Sequence, residues 1–92
     1  MSTWKEVRQQ LRITEDDEKI IAMEKELIRT LVSIREEQGI SQTVLAEKCN
    51  TPQPAIARLE KNVHSPRIDS ILRVLTPMGY TLKIVPIENK KN

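Results

Sequence analysis

Gln53 and Arg58 stand five residues apart in the stretch QPAIARLEK, and each carries a planar fork of hydrogen-bonding atoms. A glutamine amide matches the N6 and N7 edge of adenine, and a guanidinium matches O6 and N7 of guanine. Pro54, Ala55 and Ala57 lie between or beside them and are small enough to touch a thymine methyl. Arg58 has a second reading of equal weight, a phosphate contact that adds affinity without choosing sequence. Gln42 opens another helical stretch behind Ser41, where free backbone N–H groups and a side-chain amide can meet a phosphate together. Ser41, Thr43, Thr51, Lys61 and Asn62 are further candidate phosphate partners on the same stretches.

Two short helices must position these side chains. Leu45, Ala46, Cys49, Ile56 and Leu59 make two apolar faces at helical spacing, with Asn50-Thr51-Pro52 between them. Ser41 caps a helix over Gln42 to Cys49, and a recognition helix runs from Gln53 to Lys61 with Asn62 closing it. Ala46 is the small residue where the two cross, facing Ile56 and Leu59. Asn50 accepts positive φ at modest cost, and Pro52 cannot continue the first helix but suits the start of the second. Together these features predict a helix-turn-helix.

Upstream, Thr3-Trp4-Lys5-Glu6 is a capping-box pattern, and Trp4, Val7 and Leu11 follow on one side of a short helix. Thr14-Glu15-Asp16-Asp17 is a second capping box. It opens a long amphipathic helix marked by Ile20, Met23, Leu27, Leu31 and Ile34, which ends near Gln38 with Gly39 as its cap. Nothing in the sequence decides between a continuous helix and one broken near Met23. Downstream, the loop Val63-His64-Ser65-Pro66 leads to a helical face of Ile68, Ile71, Leu72 and Leu75, stopped by Pro77 and Gly79. Tyr80, Leu82, Ile84 and Pro86 then alternate with Thr81, Lys83 and Val85, which predicts a strand over 80–86. Such a strand has no partner in the chain, so it pairs with its own copy or lies as a tail on the domain.

The expected architecture is therefore a single all-α domain over residues 1–92. Residues 1–23 form a helical extension, 24–79 the helix-turn-helix core, 80–86 a strand for dimerisation and 87–92 a flexible tail. Ninety-two residues support one small core. The charge is uneven. Residues 1–40 hold seven Lys and Arg against nine Asp and Glu, and residues 41–92 hold eight against four, so −2 and +4 sum to the net +2. The basic half is the half with the helix-turn-helix, as phosphate binding requires. A single cysteine, Cys49, at an apolar position excludes a disulfide framework and fits a reducing cytoplasm. No signal peptide or membrane-length apolar run is present. With Trp4 and Tyr80 the only aromatics, a base-stacking platform is disfavoured. His64 has no acidic or thiol neighbour at ligand spacing, so no metal is expected. One histidine, no phosphate loop and no nucleophile elbow argue against an enzyme, a cofactor or a small-molecule substrate.

Ile40-Ser41-Gln42, Leu45-Ala46, Gln53, Ile56, Arg58-Leu59-Glu60 and Ser65-Pro66 resemble the Cro/phage-repressor type of DNA-binding domain, the XRE family. The resemblance implies an ion pair between Arg35 and Glu60, for which a bidentate arginine–carboxylate contact is suited. Departures from the pattern are Asn50 where Gly is usual, Pro54 where a small polar residue is common, and Arg67 where a Ser-type cap is expected. The whole order, with its helical extension and terminal strand, is similar to the HigA-type antitoxins of bacterial toxin–antitoxin operons. That resemblance implies a homodimer that binds a pseudo-palindromic operator, represses its own operon and neutralises a HigB toxin, an mRNA-cleaving enzyme of the RelE class. Trp4, Val7, Leu11, Glu15 and Asp16 are then candidates for the toxin surface, with packing of the apolar stripe on its own domain the slightly favoured alternative. Tyr80, Leu82 and Ile84 are candidates for the dimer contact. Two rival functions are a free-standing repressor and an interaction protein that has lost DNA binding.

Overall fold

The computed structural model describes residues 14–87. The helix predicted for Trp4, Val7 and Leu11 and the tail predicted over 88–92 lie outside the described residues. Four helices follow in order: α1 (Glu15–Glu37), α2 (Gln42–Cys49), α3 (Gln53–Lys61) and α4 (Ile68–Met78). Local signals set their ends. The Thr14 hydroxyl accepts from the Asp17 amide at 3.1 Å, and the Asp17 carboxylate accepts from the Thr14 amide at 3.0 Å, a complete capping box. Ser41 Oγ accepts from the Val44 amide at 3.1 Å and starts α2. α1 runs unbroken through Met23.

Three of the helices end in one way. After α1 the amides of Gly39 and Ile40 reach back to the carbonyls of Glu36 and Arg35. After α2 those of Asn50 and Thr51 reach Glu47 and Ala46, and after α4 those of Gly79 and Tyr80 reach Thr76 and Leu75. Each pair of bonds requires a left-handed residue just past the helix. Gly79 supplies it freely at φ 90°, whereas Asn50 supplies it at φ 55°, the type of residue that tolerates it next best. α4 continues through Pro77 to Met78 before Gly79 stops it, because a proline in the last turn forfeits only one hydrogen bond.

The core sits where α2 and α3 cross, with α1 and α4 closing its sides. Leu31, Leu45, Ala46, Cys49, Ile56, Ile71, Val74, Leu75 and Met78 are buried together, and Leu27, Ile34, Ile40 and Leu59 pack at its edge. Burying a leucine or isoleucine of this kind contributes about 1.5–3 kcal/mol. The predicted phase of α4 differs from the observed one. Ile68 and Leu72 are exposed, and Val74 and Met78 are buried instead, since the i, i+3, i+4, i+7 stripe runs 71, 74, 75, 78. Ile20 and Met23 are likewise exposed, while Ile28 further along is buried. Polar ties help fasten α1 and its cap to the rest. Gln38 Nε2 donates to the Met78 carbonyl at 2.9 Å, and Ser65 Oγ bonds Glu24 Oε1 at 3.0 Å.

The strand predicted over 80–86 is not formed. Among the described residues there is no strand, and 80–87 follow α4 as exposed, irregular chain. A strand exists through a ladder of backbone bonds to a neighbour, and among the described residues none forms a strand that could supply one. Tyr80, Leu82 and Ile84 are all exposed, Ile84 fully so at 102%. The alternation in the sequence therefore matches no buried face among the described residues.

Candidate nucleic-acid interface

At 100° per residue, α3 turns Ile56 and Leu59 inward and presents Pro54, Arg58 and Lys61 outward, all three exposed. Gln53 and Ala57 flank this outward face on the side of α2. Ala55 lies on the other flank, so the structure separates it from Gln53. There it lines a groove of about 620 Å³ between α3 and α4, together with Arg58, His64, Arg67 and Arg73. Pro52 holds the position before α3 and makes no side-chain cap, which leaves the amino end of the helix open.

A chain of hydrogen bonds runs from the core to that open end. Arg35 Nε donates to Glu60 Oε2 at 2.6 Å and Arg35 Nη2 to Glu60 Oε1 at 3.0 Å. This is the bidentate pair that the sequence resemblance implied, linking α1 to α3. Its side chains are only 12% and 7% exposed. The third guanidinium nitrogen, Nη1, donates to the Ile40 carbonyl at 2.9 Å, so the α1–α2 turn is bound into the same cluster. The hydrogen bonds to Glu60 push the Arg35 pKa up from its ordinary value, against the opposing effect of burial. Glu60 Oε1 also accepts from Gln42 Nε2 at 2.8 Å, and Gln42 Oε1 accepts from Gln53 Nε2 at 2.8 Å. Four side chains from three helices thus form one line, Arg35–Glu60–Gln42–Gln53.

Sequence reasoning placed Gln42 on a phosphate and did not foresee its link to Glu60 and Gln53. The partners lie 18 and 11 residues away, and no local pattern encodes such a meeting. Gln42 is half-buried, and its oxygen and one N–H are engaged inside the protein. Of the other predicted phosphate partners, Ser41 and Thr43 are exposed at the start of α2. Thr51 is half-buried, and its hydroxyl donates to the Cys49 carbonyl at 3.1 Å. Thr43 and Thr51 line one shallow groove with Gln53 and with Glu47. Lys61 and Asn62 are brought to a different place, a groove against α1 that also carries Lys25 and Arg29. Those two cations were not singled out in the sequence, since on α1 they read as an ordinary solvated face. Asn62 is the left-handed residue that ends α3.

Elsewhere the groups are quieter. Burial pushes the Cys49 thiol up from its usual pKa, so it stays a neutral, packed side chain. Arg67, which begins α4 without a side-chain cap, bonds Asp69 at 3.1 and 3.2 Å. That contact holds the Asp69 carboxyl below its ordinary range. Both partners are open to solvent, so the pair contributes little.

Two short helices joined by a tight left-handed turn, with the second presenting an open polar face, define a helix-turn-helix domain. Comparison with known proteins agrees: the helix-turn-helix family matches over residues 31–85, and the chain belongs to that family. It is similar to an uncharacterized HTH-type transcriptional regulator of Haemophilus influenzae, 37% identical over 89 residues that cover 97% of this chain and 90% of the relative. A solved structure described as a toxin-antitoxin module from Streptococcus pneumoniae is also similar. It shares 39% identity, covers 96% of each chain and superposes with a TM-score of 0.66. No helix of the described residues is long and apolar enough to cross a membrane.

Proposed function

We propose that this protein is a DNA-binding repressor of its own operon and the antitoxin of that operon, acting in the cytoplasm as a dimer. The observation that carries the DNA reading is the position of Gln53. It sits on the first turn of α3, at the edge of the outward face beside α2, anchored through Gln42 and Glu60 to the core. In helix-turn-helix proteins the first residues of the second helix reach base edges in the major groove. Gln53 reads a base there, with Pro54 and Ala57 beside it. Arg58 and Lys61 lie on the exposed face of α3 beside it, and Ser41, Thr43 and the amino end of α2 meet the phosphates. Two copies engage a pseudo-palindromic operator, and the exposed Tyr80, Leu82 and Ile84 are the apolar side chains available for the contact between copies.

The antitoxin reading rests on likeness along nearly the whole length to a toxin-antitoxin module. The toxin we assign is of the mRNA-cleaving RelE/HigB class, and a HigA-type antitoxin is the matching identity. The exposed acidic first turn of α1, with Glu15 and Asp16, suits the basic surface of an RNA-cleaving enzyme. Two experiments test the proposal. In a gel shift, DNA from upstream of the protein's own gene should be retarded at concentrations that leave unrelated DNA free; equal binding to both would reject the repressor. Co-expression with the product of the adjacent reading frame should restore growth that this product alone arrests. If the neighbour is harmless alone, the free-standing repressor is the better reading.

A further inference from the structure

The line of hydrogen bonds ending at Gln53 has a direction. A carboxylate offers no hydrogen and only accepts. Glu60 Oε1 therefore takes the nitrogen end of the Gln42 amide, at 2.8 Å. Gln42 must then turn its oxygen to Gln53, and Gln53 must answer with its nitrogen, again at 2.8 Å. Glu60 itself is held by two bonds from Arg35, which has three donors engaged and cannot accept. Reversing Gln42 would set oxygen against oxygen at its Glu60 end, and the polarity of the line is fixed from its buried end outward.

We propose that Glu60 is a positioning residue for base choice: through Gln42 it sets the polarity of the Gln53 amide and hence the edge presented to DNA. The inference rests on the reading of Gln53 as a base-contacting residue. With one N–H spent on Gln42, the Gln53 oxygen and its remaining N–H form an acceptor–donor edge. Among the described residues that oxygen has no partner. The edge complements adenine, whose N6 donates and N7 accepts. A reversed Gln53 would turn its oxygen to Gln42 and offer two N–H groups, which suits the two acceptors of guanine. Glu60 lies within the domain, yet it selects between the two purines.

The test uses the full-length protein and single-base variants of the footprinted half-site. Gln53→Ala first locates the base pair whose preference depends on that residue. Glu60→Gln can place its nitrogen at the Oε1 position toward Gln42 and keep its oxygen on Arg35 Nε, inverting the line at the expense of the Arg35 Nη2 bond. The adenine-over-guanine ratio at that pair should then fall about tenfold, the scale of one good base contact, with other positions unchanged. A merely structural role for Glu60 would weaken every sequence by one factor and leave the ratio intact. The double variant Gln42→Glu with Glu60→Gln moves the carboxylate one step outward and again gives Gln53 an acceptor. It should recover the adenine preference, while the added negative charge near phosphate lowers affinity for all sequences alike. Should Glu60→Gln fail to fold, Gln42→Leu keeps the Arg35–Glu60 pair and cuts the line; it should lose the same preference. A wild-type ratio in folded Glu60→Gln or Gln42→Leu, with Gln53→Ala having abolished it, overturns the inference alone. Unchanged preferences in Gln53→Ala overturn the reading of Gln53 and the inference with it.

Discussion

The two ends of α3 carry polar side chains toward solvent under opposite conditions. At its start Gln53 is tied to Gln42, and through it to a nearly buried ion pair. Further along, Arg58 and Lys61 are exposed on the same face, where long side chains keep their rotamer freedom. A tied amide meets a base edge with one geometry and little entropy left to lose, which is what discrimination needs. A free guanidinium or ammonium can follow a phosphate in several poses and supplies attraction that is indifferent to sequence. Under the proposed function, this contrast assigns Gln53 to a base edge and Arg58 to a phosphate.

The largest effect should come from cutting the tie at its root. Arg35→Ala leaves Glu60 buried without its cation and also frees the Ile40 carbonyl. Removing one partner of a buried pair costs about 3–5 kcal/mol, so urea unfolding should show a midpoint far below wild type. A change within error would mean that the pair is no anchor, and the contrast between the two ends would lose its cause.

A smaller loss is expected at the turn that delivers Gln53. Asn50 is left-handed at φ 55°, ψ 48°. Asn50→Val puts a β-branched residue there and should cost about 1–2 kcal/mol, while Asn50→Gly should be close to neutral. Thermal melts of the two variants give the comparison directly.

At the free end, Arg58→Ala should leave stability untouched and lower affinity for every operator variant by the same factor. The slope of log affinity against log salt should shrink by about one ion. A loss confined to one base pair would return Arg58 to guanine recognition and place a second reader on the free end.

The parts of this arrangement that were legible in the sequence are those with local causes. The Thr14 and Ser41 caps, the left-handed Asn50, and the bounds of α2 and α3 follow from residues within four positions of one another. The Arg35–Glu60 pair, 25 residues apart, was reached through family resemblance and not through spacing. Gln42 shows the limit: its type suggested a phosphate contact, and only the packing of α2 against α3 brings Glu60 and Gln53 to its two ends. The burial of Val74 and Met78 in place of Ile68 and Leu72 has a similar origin, since two apolar stripes coexist on α4 and tertiary packing selects one. Residues 80–86 alternate as a strand does, but alternation specifies a face only when something covers it. Among the described residues no strand pairs with that segment, and its apolar side chains are exposed.

The most direct test of the account is a titration of wild type and Gln53→Ala against a panel of single-base operator variants. The tied amide predicts a loss of about 1–3 kcal/mol on the preferred operator, confined to one base pair in each half-site. Discrimination at all other positions should stay at its wild-type value. If Gln53→Ala instead kept the wild-type preference at every position, α3 would not be reading DNA through its anchored end, and the function built on it would fall.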